Sequence, residues 1–212
     1  MRKYWFFDLD GTLADTDRDI REAWKAAIVD VGLHCPHFDK EFIAGPSIDE
    51  MTKKLFPNEY SSEISDAIRV NFGRHYDGDG FPNTYEYPGI IEEVKRLKEA
   101  GAKVFIATNK RFAGARIMAQ KFGWDKIFDG LYCGDMHKDD AIGKLRKPAL
   151  LRLIMKEQGA DRGECVMVGD TINDFEAARE NGIFSIAVPW GYGTDEEKKN
   201  ADLFLKSLPF PN

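Results

Sequence analysis

The chain has 212 residues, 43% of them hydrophobic and 31% charged, which suits a globular protein of one sizeable domain or a core with a smaller insertion. A formal net charge of −6 argues against nucleic-acid binding, which needs a basic footprint, but not against a small anion held by a few local cations and a metal. Cys35, Cys133 and Cys165 make no zinc spacing with the histidines, no apolar run is of membrane-spanning length and no signal-peptide pattern follows Met1, so free thiols and a cytoplasmic setting are expected, with no membrane partner.

Tyr4-Trp5-Phe6-Phe7 is a short aromatic run that stops at Asp8, as a buried strand opening onto a loop would. From Ile20, the positions Ala23, Trp24, Ala27, Ile28 and Val31 recur at helical spacing until Gly32. Ile48, Met51 and Leu55, then Ile64, Ala67, Ile68 and Phe72, predict two more helices broken at Phe56-Pro57-Asn58. No strand pattern stands out between Arg18 and Tyr85, so this stretch reads as a helical block. After Pro88-Gly89 strands and helices alternate. Val104–Ala107, Gly130–Cys133, Cys165–Val168 and Phe184–Val188 are the strands; helices open near Ile90, Phe112, Pro148 and Phe175. That alternation predicts an α/β fold, a Rossmann-like parallel sheet with crossover helices, interrupted after its first strand by an all-α insertion. The core takes residues 1–16 and 87–212 and the insertion takes 17–86.

Four polar segments follow apolar strands or open helices, and the carboxyl ends of strands in an open parallel sheet are where ligands bind. Asp8-Leu9-Asp10-Gly11-Thr12-Leu13 offers two carboxylates two apart, with Gly11 permitting a tight turn whose N–H groups can cradle an oxyanion. Thr108 ends a strand in Ile106-Ala107-Thr108-Asn109-Lys110, where by itself a helix cap is the preferred reading. Gly143-Lys144-Leu145-Arg146-Lys147-Pro148 carries two lysines at a helix start. In Gly169-Asp170-Thr171-Ile172-Asn173-Asp174 the two carboxylates sit one helical turn apart, although an N-cap with an acidic first turn would look the same.

Taken in this order, the segments resemble the motifs of the haloacid dehalogenase superfamily, the first of which is an apolar run followed by Asp-x-Asp-Gly-Thr. The resemblance covers essentially the whole chain. Trp190-Gly191-Tyr192-Gly193, the Ala201-Asp202 segment and the placement of the insertion are similar to the phosphoglycolate phosphatase-like branch, in which the insertion is a helical cap. The resemblance implies a magnesium-dependent phosphatase acting on a small phosphorylated metabolite, with phosphoglycolate leading by branch similarity and sugar phosphates and nucleoside monophosphates also open. Asp8 is then the nucleophile and Asp10 the general acid and base. Asp8, the Asp10 carbonyl and Asp170 hold Mg2+, and Asp174 supports the site. Thr108 and Lys147 bind the phosphate, with Asn109 as an additional contact; Lys147 matches the motif better than Lys144. The loop Phe42–Ser47 resembles a cap loop facing the leaving group, so Gly45 and Ser47 are expected to shape specificity, with Arg18 and Arg21 as nearby cations. On residues alone the loop reads as an interhelical turn.

Three rivals are weighed. A sugar-phosphate phosphotransferase or mutase would use the same Asp8 and Asp10, although Thr12 resembles the hydrolases. Dehalogenases and phosphonatases of the superfamily generally lack a carboxylate at the Asp10 position. A silent binding module would be expected to have lost one of the site carboxylates. Oligomeric state is not legible.

Overall fold

The computed structural model describes residues 2–78, 80–137 and 143–211. The chain divides into two compact units, Met1–Asp15 with Tyr85–Asn212, and Thr16–Thr84.

The first unit begins with β1 (Tyr4–Phe7), whose three buried aromatics make it a central strand. A two-residue strand, β2 (Ala14–Asp15), pairs antiparallel with β3 (Tyr85–Glu86), where the chain returns from the helical unit. The pairing places Tyr85 and Glu86 in the first unit. Such short strands leave no periodic signature in sequence, and neither is anticipated above. Beyond them lie β4 (Lys103–Thr108), β5 (Gly130–Cys133), β6 (Cys165–Gly169), β7 (Phe184–Ala187) and β8 (Leu203–Phe204). These five and β1 form one parallel sheet in the order β5-β4-β1-β6-β7-β8. The α/β class read from the sequence is therefore the fold.

Strand order runs outward from β1 on one side and then restarts on the other at β6. The β1/β6 crevice is thus the topological switch point, where the loops leaving two adjacent strands diverge and leave room for a ligand. Register fixes the approach: Phe7 lies opposite Val168, so Asp8 falls beside Gly169 and Asp170 follows one residue on.

In chain order, the helical unit holds α1 (Asp17–Asp30), α2 (Phe38–Glu41), α3 (Ile48–Leu55) and α4 (Ser62–Gly78). The sheet unit adds α5 (Ile90–Glu99), α6 (Phe112–Lys121), α7 (Lys147–Gln158), α8 (Ile172–Asn181) and α9 (Asp195–Lys198). Pro148 stands in the first turn of α7, where a missing N–H costs nothing. The sheet core gathers Phe6, Phe105, Leu150, Leu151, Ile154 and Met167. Full burial of each such side chain contributes about 1.5–3 kcal/mol. The helical unit has its own core of Trp24, Phe38, Phe42, Met51, Leu55 and Ile68. Its buried Asp19 carboxylate accepts hydrogen bonds from Asn83 N and Nδ2 and from Thr84 Oγ1, tying the first helix to the end of the unit.

Candidate active site

Three carboxylates converge at the switch point. Asp8, the residue after β1, is 8% exposed; Asp170, the residue after β6, and Asp174, in the first turn of α8, are fully buried. One oxygen from each can be chosen so that all three lie within 4.8 Å of one another. Three carboxylates so close in a buried space repel, and among the described residues a single ammonium, that of Lys147, pairs with them. Lys147, 3% exposed at the start of α7, ion-pairs with Asp174 and lies 2.8 Å from Asp8 Oδ1. The second contact is an ion pair set off the hydrogen-bond direction, so Asp8 Oδ1 has no hydrogen-bond partner among the described residues.

The carboxylates differ in what holds them. Asp174 is saturated: Oδ1 accepts from Lys147, and Oδ2 accepts from Asp170 N, Thr171 N and Thr171 Oγ1. Its bonds to Thr171 form a capping box that starts α8, so one residue both caps the helix and anchors Lys147. Asp170 accepts from Thr12 Oγ1 at 3.1 Å and from Tyr192 N at 2.7 Å, one donor per oxygen. Burial pushes the Asp8 carboxyl up, against the pull of Lys147 and with Asp174 adding to the rise. Burial raises Asp170 too, assisted by the charges of Asp174 and Asp8 and opposed by the Tyr192 and Thr12 donors. For Lys147 burial disfavours the ammonium, but Asp174 and Asp8 together outweigh it and hold the ammonium firmly protonated.

Such a site is short of positive charge. Among the described residues three buried carboxylates face one ammonium, Asp8 Oδ1 has no hydrogen-bond donor, and every ligand atom is a hard oxygen. These properties fit a hard divalent cation such as Mg2+. Asp8 and Asp170, each with lone pairs to spare, are the better donors; the four bonds to Asp174 leave it in support.

Asp10 stands apart from the cluster. Its carboxylate faces Lys110, whose Nζ donates to Oδ1 at 2.9 Å and lies 3.3 Å from Oδ2. Lys110 is itself buried, and its backbone N–H donates to Thr108 Oγ1 at 3.1 Å. Sequence reading passed over this lysine and chose Asn109. Past the end of β4 the side chains alternate, so Thr108 and Lys110 are buried while Asn109 is exposed. Alternation after Thr108 was the signal available for finding it. Of the two motif lysines, Lys147 enters the cluster and Lys144 is exposed.

The loop after β7 closes the site from the other side. Trp190 Nε1 donates to Thr12 O at 3.1 Å, and Tyr192 OH lies 3.4 Å from Asp15 Oδ1. Gly11 (φ +80°) and Gly191 (φ +89°) meet here, and a Cβ on either would collide with the Asp170 side chain. Both need the left-handed backbone and the missing Cβ. Thr12 and the Tyr192 amide are thus site-building groups to which the sequence had assigned no such contact.

Gly45 and Ser47 belong to the helical unit. Both are exposed. The Ser47 hydroxyl caps α3, accepting from Glu50 N, while Glu50 Oε2 accepts from Ser47 N at 2.8 Å. Arg21 binds Asp17 and the Phe42 carbonyl, and Arg18 pairs with Glu22. The loop's polar groups are therefore largely engaged within their own unit.

Comparison with known proteins agrees with this geometry. A phosphoglycolate phosphatase of Agrobacterium fabrum is 32% identical over 192 residues, covering 88% of this chain and 80% of that one. A 5'-nucleotidase of Pseudomonas aeruginosa is 26% identical over 194 residues, covering 90% and 84%. Among solved structures, CbbY from Rhodobacter sphaeroides in complex with phosphate superposes with a TM-score of 0.78 at 25% identity, covering 98% of this chain and 95% of that one. The family model described as haloacid dehalogenase-like hydrolase matches residues 5–188, and the chain belongs to that family. It is an enzyme of the phosphatase type. Among the described residues no helix is long and apolar enough to cross a membrane.

Proposed function

We propose that the chain hydrolyses a small phosphomonoester through a phospho-aspartate on Asp8, with phosphoglycolate the first substrate to test. The observation that carries this reading is the Asp8 carboxylate, set at the switch point beside Asp170, whose Oδ1 has no hydrogen-bond donor among the described residues and is held only by its ion pair with Lys147. Asp8, the Asp10 backbone carbonyl and Asp170 would hold Mg2+, with Asp174 in support. When bound, the ion would screen the mutual repulsion of carboxylate and phosphate. Asp8 attacks phosphorus in line, forming an acyl phosphate as the ester oxygen leaves. Asp10, outside the carboxylate cluster and oriented by Lys110, gives that oxygen its proton and then takes one from the water that cleaves the acyl phosphate. Thr108 and Lys147 donate to the oxygens of the transferring group, where charge spreads in the transition state.

The helical unit is proposed as the cap that excludes water and selects substrate. Gly45 would act there by shape, and Ser47 more through its helix cap than by direct contact. Free thiols at Cys35, Cys133 and Cys165 suit a reducing compartment, hence a cytoplasmic setting. The names of the relatives span a phosphoglycolate phosphatase and a 5'-nucleotidase, so the leaving group is the open variable. A panel of phosphomonoesters assayed by phosphate release with magnesium decides it: the highest kcat/KM should fall on phosphoglycolate. Turnover confined to nucleoside monophosphates would reject that substrate, and transfer to a sugar in place of water would reject hydrolysis. Asp10→Asn adds a mechanistic check. It should slow single-turnover phosphorylation by alkyl phosphates about 10²–10⁴-fold and by aryl phosphates much less. Equal slowing would remove Asp10 from the acid role.

A further inference from the structure

At the far end of the same sheet lies a cleft of about 450 Å³, within the size range of small-molecule sites. It opens where β6 and β7 begin, and it shares no lining residue with the catalytic cluster. Arg162 and Gly163 precede β6, Phe184 opens β7, and Phe175 and Arg179, one turn apart on α8, form a wall. Asp170 follows the last residue of β6, so the strand separates the two places by roughly 15 Å at about 3.3 Å per residue.

Three arginines line this cleft, in a chain whose acids outnumber its bases 36 to 30. Arg2 lies over the Phe184 ring, 3.6 Å from its centroid. Stacking uses the face of a guanidinium and leaves its in-plane N–H donors available. Neither Arg2 nor Arg162 has a carboxylate within 4.0 Å among the described residues, and Arg179 has only a loose, exposed contact with Glu176 at 3.5 Å. The one lining acid, Asp202, is already turned to Ser185, whose N and Oγ donate to its Oδ2 at 2.8 and 2.9 Å. The apolar lining residues Phe175 and Ile183 are buried and offer little surface to a large ring system.

Guanidinium forks match phosphate oxygens two at a time, so three arginines lining one cleft suit an anion of more than one charge. We infer that this cleft is a second anion site, remote from catalysis, which takes a compact phosphorylated molecule bearing two or more negative charges. Arg2, Arg162 and Arg179 bind the charge, and the Asp202–Ser185 pair forms the polar wall. The ligand touches α8 near its last turn, and the first turn of that helix carries Asp174.

Inorganic pyrophosphate is the probe, titrated by calorimetry into the full chain in magnesium-free buffer. One site with Kd below ~1 mM is expected, weakening as salt is raised. The double variant Arg162→Glu/Arg179→Glu should lose at least about tenfold in affinity, while its turnover of a phosphomonoester without pyrophosphate stays within about twofold of wild type, which shows that it is folded. Lys147→Ala should bind pyrophosphate as wild type does. Absence of saturable binding, or binding that the arginine variant leaves unchanged, overturns the inference. So does binding that Lys147→Ala abolishes, which would move pyrophosphate to the catalytic cluster.

Discussion

At the carboxyl ends of β1 and β6 stand Asp8 and Asp170, with Asp174 one turn on, all shielded from water; at the amino ends of β6 and β7 stand Arg162, Arg179 and Arg2, at least partly in water. The same sheet thus carries buried negative charge at one end and accessible positive charge at the other. Burial is what separates their behaviour. A carboxylate without water must be answered by named partners, here Lys147, Thr12, Thr171 and the Tyr192 amide, and each partner is fixed in place by the answer. An accessible arginine is screened by solvent and salt and can wait for a ligand. Charge at the first end is structural and chemical together, whereas at the second it concerns binding alone.

The largest expected effect tests that division directly. Asp8→Asn keeps the shape of the side chain and removes the proposed nucleophile, so kcat should fall on the order of 10⁴-fold or more with the fold intact by circular dichroism. A folded variant near wild-type rate, with deamidation excluded by mass spectrometry, would reject the mechanism.

Lys147→Ala should follow. It leaves Asp8 and Asp174 without their shared cation, and kcat/KM should drop on the order of 10²–10³-fold. Lys144→Ala, at an exposed position in the same motif, should remain within about twofold, since isolated surface charges contribute little. The reverse ranking would move the phosphate contact to Lys144.

Metal removal gives a smaller effect with a definite sign. In metal-free protein the Asp8 and Asp170 carboxyls are raised by burial, so the folded state binds more protons than the unfolded one above the ordinary carboxylate range near pH ~4. Their contribution to stability therefore falls as pH rises through the raised values. Magnesium takes the ionised forms, so the gap in Tm between magnesium-loaded and EDTA-treated protein should widen as pH rises. A gap that is constant or narrows, followed by calorimetry, would count against Asp8 and Asp170 as ligands.

The smallest effect lies away from both ends. Ser47→Ala removes the cap of α3 and should cost about 1 kcal/mol in stability, read from denaturant midpoints, with uniform small changes in kcat/KM across substrates. A change in substrate ranking would instead restore Ser47 as a direct specificity contact.

Much of this was legible in the chain. Aromatic and β-branched runs ending at Asp8, Thr108 and Gly169 mark the central strands because both faces of a parallel sheet are buried and the runs are continuous. Asp8 and Asp170 stand out because each directly follows a buried strand, Asp10 by its spacing from Asp8, and Asp174 lies one helical turn past Asp170, where a helix cap reads the same way. The pair β2–β3 and the strand β8 were missed because two residues carry no period. Lys110 was missed because a lone lysine after a strand is ordinarily solvated, and only the fold shows that alternation turns it inward and Asn109 out. The Tyr192 contact comes from a main-chain N–H that any residue but proline carries, so no side chain announces it. Ser47 also opens Ser-x-x-Glu, a capping-box pattern present in the sequence and formed in the structure.

The meeting of Gly11 and Gly191 against the Asp170 side chain has a consequence for how the enzyme tolerates change. Neither glycine bears a reactive group, yet a single methyl at either would strike Asp170 and displace it. A saturation scan scored by turnover should therefore find these two positions as intolerant as the carboxylates themselves. A tally of reactive side chains would undercount the catalytic apparatus, because part of it consists of places where no atom can be added.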